Sequence, residues 1–269
     1  MPMNRNGPPL DDQPAGDDVL WLGRLRHALT GDHFVLYAQP IVDLVTDAVI
    51  GHELLIRMIG DDGGVIAPGS FLPTAERYGL ISEIDRWVLH QAAAIAARGH
   101  AVQINISADT LADPDIGSCV ERELVDSGAQ PSMLGFEITE TALVSNDALG
   151  AAFVDRVRSL GCQVALDDFG TGYTGFGHLK RFRVDCLKID REFVSDLLTE
   201  ATSRRVVQAV VQLAGRFGLR TVGEGVEDGQ TLERLRSLGV DHAQGYHLAR
   251  PAPAADVLSG AGVSAHGST

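Results

Sequence analysis

The feature that most constrains this chain is a repeated alternation of short apolar segments with longer segments of helical periodicity. Apolar residues recur at helical spacing in Ser82–Ala97, Arg204–Phe217 and Asp228–Leu238. The short segments predict eight strands: Phe34–Ala38, Val49–Ile56, Ala101–Ile106, Leu134–Thr139, Gln163–Leu166, Cys186–Ile189, Arg220–Gly223 and Asp241–Ala243. Strands interleaved with helices predict parallel βα units in an α/β barrel of the TIM (β/α)8 kind. A chain of 269 residues suits one such barrel.

The start of the predicted barrel departs from a regular βα repeat. Only the turn-like segment Asp43–Ala48 separates the first two strand segments. A parallel crossover needs about a dozen residues, so this pair is predicted to be antiparallel. We therefore expect a modified TIM barrel with one irregular first strand.

Both ends of the chain differ in composition from its middle. Residues 1–17 are rich in Pro, Gly, Asn and Asp, and residues 259–269 are rich in Gly, Ser and Ala. Segments of this kind bury little apolar surface, so we expect a disordered N-terminal tail and a flexible C-terminal tail. No internal repeat or linker divides residues 18–258, which are predicted to form a single barrel domain.

Charge and cysteine content exclude some classes of protein. The net charge is −14, which repels polyanions and excludes a duplex nucleic acid as partner. Three widely separated cysteines without a CxxC pair are typical of a reducing compartment rather than a disulfide framework. No apolar run approaches the ~20 residues of a membrane span, so we expect no transmembrane segment.

Polar side chains lie at or close to the ends of six strand segments, and Glu53 adds a seventh strand. They are Glu53, Asn105, Glu137, Asp167 with Asp168, Lys188, Glu224 and Gln244. One of them alone is more often a helix cap or a surface charge. Together they are informative, because the C-terminal ends of parallel barrel strands open onto one face, where barrel active sites lie. Carboxylate and amide oxygens favour Mg²⁺ or Mn²⁺ over zinc.

Lys188 stands out because it interrupts the apolar run Cys186–Ile189. Lysine is almost never buried without a partner. We therefore expect its side chain to point into the barrel mouth or to be paired. Near Asp167, Asp168 and Glu224 it should stay protonated, since nearby opposite charges favour the ammonium form.

These motifs resemble, in order and spacing, those of the EAL-domain family. The segments are GHELLIR, INIS, FEITE, ALDDFGTGY, VDCLKID, GEGVE and AQGYHLARPAP, with AQPIVDL and FLPTAERYGLI flanking them. The resemblance runs from about Phe34 to Pro253. It implies a modified TIM barrel that hydrolyses one phosphodiester of the bacterial messenger cyclic di-GMP to give linear 5′-pGpG. It also implies a bacterial cytoplasmic location, two Mg²⁺ or Mn²⁺ ions in each active site, and inhibition by Ca²⁺.

The resemblance also implies roles for individual residues. One metal would be held by Glu53, Asn105, Glu137 and Asp167, and a second by Asp167, Asp168 and Glu224. The residues implied in catalysis are Glu53, Lys188, Asp168 and Glu224. The implied substrate contacts are Gln39, Leu55, Arg57, Asp190 and Gln244. Glu140 would anchor the loop that follows Asp168, and Asp190 has the alternative role of a helix cap.

Two departures from the family pattern bear on activity. The name-giving triplet reads Glu53-Leu54-Leu55, with Leu in place of Ala, and strand alternation predicts that Leu54 points away from the site. The loop after Gly172 reads Tyr173-Thr174-Gly175-Phe176 where the family has a Ser-Ser-Leu-like run. The level of activity therefore stays open. Two alternatives remain: a cyclic di-GMP receptor with little or no catalysis, and an unrelated metal-dependent barrel enzyme.

The same loop and the helix after it, around residues 172–182, are implied as a homodimer contact. Phe176, Leu179 and Phe182 form an apolar set at helical spacing that would pack against a second copy. The alternative is that these side chains face their own barrel.

Overall fold

In the computed structural model, which describes residues 16–31, 33–170, 179 and 181–259, eight strands close into a barrel. Their order around the barrel is β1-β2-β4-β5-β6-β7-β8-β9, and β9 pairs back to β1. The strands are β1 (Phe34–Asp43), β2 (Val49–Ile59), β3 (Val65–Ile66), β4 (Val102–Asn105), β5 (Leu134–Thr139), β6 (Gln163–Phe169), β7 (Cys186–Ile189), β8 (Arg220–Gly223), β9 (His242–Ala243) and β10 (Ala252–Pro253). The predicted modified TIM barrel is confirmed.

The irregular strand is the first one, as predicted. β1 pairs antiparallel with both β2 and β9, whereas the pairs from β2–β4 through β8–β9 are parallel. The β1–β2 ladder is longer than expected and runs from Phe34↔Met58 to Val42↔Val49. Its turn is fixed by Asp43, whose Oδ1 accepts hydrogen bonds from the backbone N–H groups of Val45 and Thr46 at 2.9 and 2.8 Å.

Helices surround the barrel and follow most of its strands. They are α1 (Gly16–Thr30), α2 (Leu72–Arg77), α3 (Ile81–Ala96), α4 (Ala108–Leu111), α5 (Ile116–Ser127), α6 (Glu140–Ser145), α7 (Asp147–Leu160), α8 (Arg191–Ser195), α9 (Ala201–Phe217), α10 (Gly229–Leu238) and α11 (Ala254–Ser259). The amphipathic segments of the sequence form α3, α9 and α10. Asp228 caps α10 by accepting the Thr231 N–H at 2.8 Å, and Gly239 ends that helix in the left-handed conformation.

Strand alternation divides the side chains between two layers. In β7, Leu187 and Ile189 point outward and belong to the hydrophobic core between barrel and helices, while Lys188 points inward. In β2, Leu54 is buried in that outer core, as predicted from the triplet Glu53-Leu54-Leu55. The inward-facing strand positions can therefore carry polar side chains at the open end of the barrel.

The ends of the described chain lie close to the expected tail boundaries. α1 begins at Gly16, so the last two residues of the expected N-terminal tail belong to a helix, and α11 includes Ser259. The rest of both predicted tails lies outside the described residues. Among the described helices, none is long and apolar enough to cross a membrane.

The apolar set expected at a dimer contact packs differently from the main prediction. Leu179 and Phe182 are buried in the core of their own chain, so these two side chains are not available to a second copy. The alternative, that they face their own barrel, is correct for both. Phe176 lies outside the described residues.

Candidate active site

The parallel register brings the polar strand-end residues to one mouth of the barrel. Glu53 stands opposite Gln103 in the β2–β4 pair, and Asn105 stands opposite Glu137 in the β4–β5 pair. Each strand contributes inward-facing side chains at alternate positions. Residues that are far apart in sequence therefore meet at the same height in the barrel, as predicted.

Lys188 is the centre of this cluster. Its Nζ lies 2.5 Å from Glu137 Oε2 and 2.5 Å from Glu224 Oε1. Asp167 Oδ1 follows at 3.3 Å and Glu53 Oε2 at 4.0 Å. The side chain of Lys188 is 1% exposed. The prediction of a paired lysine in the mouth is confirmed, although its ion-pair partners include Glu137 and Glu53.

The charge states of the central pair follow from their surroundings. Burial alone lowers the pKa of Lys188, but the carboxylates, Glu137 first, raise that pKa well above its usual range. Lys188 is therefore an ammonium ion. Burial also raises the pKa of Glu137, Lys188 lowers it, and the neighbouring carboxylates raise it further, so that the net shift is upward. One lysine does not neutralise so many carboxylates, and the cluster favours additional cations.

Two amide side chains orient Glu53. Asn105 Nδ2 donates to Glu53 Oε1 at 2.8 Å, and Gln244 Nε2 donates to Glu53 Oε2 at 2.7 Å. Gln244 Nε2 also lies 3.0 Å from Oε1 of Gln39, whose own Nε2 donates to the carbonyl of Ala249. Both oxygens of Glu53, in the middle of β2, are thus held in fixed positions.

The end of β6 is irregular where the two aspartates stand. The β6–β7 register shifts between Leu166 and Phe169, and Asp168 has a φ of 54°. Non-glycine residues seldom adopt this left-handed conformation, and such strain concentrates at functional sites. As a result, one carboxylate oxygen each from Asp167, Asp168 and Glu224 lies within 4.8 Å of the others.

Burial raises the pKa of two of these three carboxyl groups, those of Asp168 and Glu224. For Asp168 the pKa rises to about 6, through burial first, then the charge of Asp167 and a hydrogen bond with Asp190. For Glu224 burial raises the pKa to about 7 against the opposing effect of Lys188. A carboxyl group that retains its proton near neutral pH releases the proton when a cation binds to it.

Several buried oxygens of the cluster have no hydrogen-bond partner among the described residues. They are Oε1 of Glu137, Oδ1 of Asp167 and Oε1 of Gln244. Buried polar atoms normally have a partner. All three are hard oxygen donors, so the donor set fits Mg²⁺ or Mn²⁺.

Asp85 on α3 fixes the chain where β4 ends. Its Oδ2 accepts hydrogen bonds from the Ser107 backbone N–H at 2.9 Å and from the Thr110 hydroxyl at 2.6 Å. The backbone carbonyl of Glu137 accepts a hydrogen bond from the N–H of the intervening Ile106 at 2.9 Å. These contacts set the path of the chain directly after Asn105. Sequence patterns did not single out Asp85, because its partners lie 22 and 25 residues away.

A cavity of about 430 Å³ opens above the cluster. Seven of the residues predicted for the site line it: Gln39, Glu53, Leu55, Asp167, Lys188, Glu224 and Gln244. Its wall also contains residues that the sequence analysis did not single out: Arg191, Ser195, Glu227 and Tyr246. Glu227 and Tyr246 lie within the quoted motifs GEGVE and AQGY, and Arg191 directly follows LKID, so position next to a motif was the available signal.

Three further predicted residues, Arg57, Asp190 and Glu140, are not among the residues that line the cavity. Arg57 donates to the carbonyl of Ile56 at 2.8 Å and stacks over the Tyr37 ring at 5.2 Å. Asp190 is the N-cap of α8 and accepts the Glu192 N–H at 2.6 Å, which confirms its helix-cap role. Glu140 is buried at the start of α6, and the loop it is predicted to anchor lies largely outside the described residues.

The sequence matches the EAL domain family over residues 22–251. The cyclic di-GMP phosphodiesterase PdeF of Escherichia coli (strain K12) is 34% identical over 263 residues, covering 96% of this chain and 35% of PdeF. MucR of Pseudomonas aeruginosa, a bifunctional diguanylate cyclase/cyclic di-GMP phosphodiesterase, is 35% identical over 252 residues, covering 91% of this chain and 37% of MucR. This chain therefore spans about a third of the length of these curated relatives.

The fold is also similar to the folds of solved structures. The solved structure of the PaMucR phosphodiesterase in complex with c-di-GMP superposes with a TM-score of 0.84 at 35% identity. The superposition covers 88% of this chain and 99% of that one.

Proposed function

The chain belongs to the EAL domain family, and from this membership we propose that it hydrolyses cyclic di-GMP to linear 5′-pGpG. The relative PdeF is named for this phosphodiesterase activity, and the similar MucR structure contains the dinucleotide. The observation that carries the proposal is the buried ring of carboxylates around Lys188 at the floor of an open cavity. A phosphodiesterase of this kind needs concentrated negative charge that can hold cations against a phosphate.

We propose that the cations are two Mg²⁺ or Mn²⁺ ions. The residues that would hold the first are Glu53, Asn105, Glu137 and Asp167, and the residues that would hold the second are Asp167, Asp168 and Glu224. When bound, such ions polarise a phosphoryl oxygen and lower the pKa of water. The buried Oε1 of Glu137, which has no hydrogen-bond partner among the described residues, supports this assignment. So does the close approach of Asp167, Asp168 and Glu224.

The protein's own side chains then do three things. Lys188 supplies a fixed ammonium group that stabilises negative charge developing at the phosphate or at the attacking oxygen. Asn105 and Gln244 hold both oxygens of Glu53 and keep its carboxylate aimed into the mouth. Leu55 and Gln39 line the cavity as substrate contacts, and Arg57 and Asp190 are proposed to join them on the strength of the family resemblance.

The competing proposal is a cyclic di-GMP receptor without catalysis. It is disfavoured because every proposed metal-ligand position carries an oxygen donor, and the described ligands converge. A turnover assay distinguishes the two. The chain is incubated with cyclic di-GMP and Mg²⁺ or Mn²⁺, and pGpG is separated from substrate and GMP. Accumulation of pGpG supports the enzyme, whereas tight binding without product contradicts it.

Two further proposals concern the protein as a whole. We propose a homodimer through the loop and helix around residues 172–182, with side chains other than Leu179 and Phe182 at the contact. A purely monomeric mass at micromolar concentration with full activity would refute it.

We also propose a bacterial cytoplasmic location, supported by three cysteines that are free thiols.

A further inference from the structure

The walls of the cavity are strongly unbalanced in charge. Four carboxylates line it, from Glu53, Asp167, Glu224 and Glu227. The cations among its lining residues are Lys188 and Arg191. Lys188 is buried and in contact with carboxylates, so its charge is already compensated. Arg191 therefore supplies the positive charge that remains available in this wall.

Arg191 is exposed and unengaged. Within the described part of the chain, no hydrogen bond or ion pair involves its guanidinium. Two other arginines, which are not among the residues that line the cavity, already have partners. Arg57 is bonded to the Ile56 carbonyl and stacked on Tyr37, and Arg250 stacks on the Tyr246 ring at 4.3 Å.

The position of Arg191 is set by a glycine in the turn that carries Glu224. Gly225 has a φ of 67°, and a Cβ atom at Gly225 would lie 2.6 Å from the Cβ of Arg191. The stem of Arg191 thus packs directly against the backbone next to Glu224. Asp190, the N-cap of α8, fixes the backbone immediately before it. Arg191 thus lines the cavity beside Glu224 and Gly225.

We propose that Arg191 binds the phosphate of cyclic di-GMP that is not being cleaved. The inference rests on the proposed function, because a cyclic dinucleotide has two phosphates and the cation cluster takes only the scissile one. A wall lined by carboxylates repels the second phosphate unless a cation stands there. A guanidinium suits this task because it binds phosphate through two parallel N–H···O bonds. Arg191 then selects dinucleotides over diesters that carry a single phosphate.

The test compares Arg191→Gln with the wild type on two substrates. With cyclic di-GMP, KM should rise about tenfold or more, as expected for loss of a hydrogen bond to a charged group, while kcat changes less than about twofold. With bis(p-nitrophenyl) phosphate, which has one phosphate, kcat/KM should not change. Arg191→Lys should recover part of the affinity. Arg205→Gln, an exposed arginine of α9 outside the cavity wall, is the matched control.

Several outcomes would overturn the inference. An unchanged KM for cyclic di-GMP in Arg191→Gln, or an equal loss with both substrates, would show that Arg191 does not bind the second phosphate. Binding of cyclic di-GMP in Ca²⁺, measured by calorimetry, gives a readout that needs no turnover. If the wild type binds but does not cleave, the proposed hydrolysis fails. In that case, weaker binding of cyclic di-GMP by Arg191→Gln than by the wild type still supports the proposed role of Arg191, and equal binding refutes that role.

Discussion

The ammonium nitrogen of Lys188 lies 2.5 Å from Oε2 of Glu137, with both side chains removed from solvent. A buried ion pair gains little net stability, because both charges lose their hydration. Loss of one partner is costly, since the other charge is left uncompensated. Here the pair lies among further carboxylates, so Lys188 holds together a cluster that would otherwise repel itself.

Lys188→Ala should lower kcat by about 10²-fold or more, the scale of a lost electrostatic contact at a developing charge. Binding of cyclic di-GMP in Ca²⁺ should change much less, because the ammonium group acts on the transition state more than on the ground state. Steady-state kinetics and calorimetry in parallel measure both. A variant that loses binding but keeps kcat would make Lys188 a substrate anchor instead.

The same substitution should affect stability in a way that depends on cations. Without the ammonium group, the carboxylates are uncompensated, and the free energy of unfolding should fall by about 3–5 kcal/mol. Added Mg²⁺ should restore more of the melting temperature in Lys188→Ala than it adds to the wild type. Thermal melts with and without Mg²⁺ check this. Equal shifts in the two proteins would show that cations do not compensate for the missing ammonium group.

Glu53→Ala should abolish turnover and leave the fold intact. Both oxygens of this carboxylate are held toward the barrel mouth by Asn105 and Gln244, so its loss removes a fixed metal ligand. The measurement is turnover at saturating Mg²⁺, with circular dichroism as the test of folding. Glu83→Ala, which removes an exposed carboxylate from α3, is the control. Wild-type rates in Glu53→Ala would contradict the metal assignment.

Metal dependence should follow both ion type and pH. Mg²⁺ and Mn²⁺ should support turnover and Ca²⁺ should inhibit it, because Ca²⁺ binds the same oxygens with longer and looser geometry. Since burial raises the pKa of Asp168 to about 6 and of Glu224 to about 7, a cation must displace protons at acidic pH. The affinity for Mg²⁺ should therefore rise with pH and level off above about pH 7. Equal rates with Ca²⁺, or an affinity independent of pH, would count against the site.

Asp85 should contribute a distinct pH dependence of stability. Burial raises its pKa above the ordinary 3.8, so the folded chain retains this proton where the unfolded chain has lost it. Its contribution to stability is full below the unfolded pKa and is lost as pH rises through the folded pKa. As pH rises from the unfolded pKa of 3.8 through the folded pKa, the wild type should thus lose more free energy of unfolding than Asp85→Asn, which does not titrate. Urea denaturation across this range measures the difference, and parallel curves would refute it.

Most of the fold could be predicted because its signals are local. Strands β5, β7 and β8 have the predicted bounds, since each is a short apolar run between turn residues. The antiparallel start followed from the length of one turn. The extensions of β1 and β2 could not be seen in the same way. Cross-strand pairing stabilises residues such as Arg57 and Gln39, whose side chains do not predict a strand alone.

The sequence by itself determined which residues stand at the strand ends and that a buried lysine must have anionic partners, because alternation and burial cost act within a few residues. Only the tertiary structure decided which carboxylates those are. Lys188 pairs with Glu137 of β5, 51 residues before it, and with Glu224 directly after β8, 36 residues after it. Barrel closure and register set these distances between strands. The same holds for Asp85 and Arg191. Their roles depend on a hydrogen bond across 22 residues and on contact with Gly225, which no local pattern records.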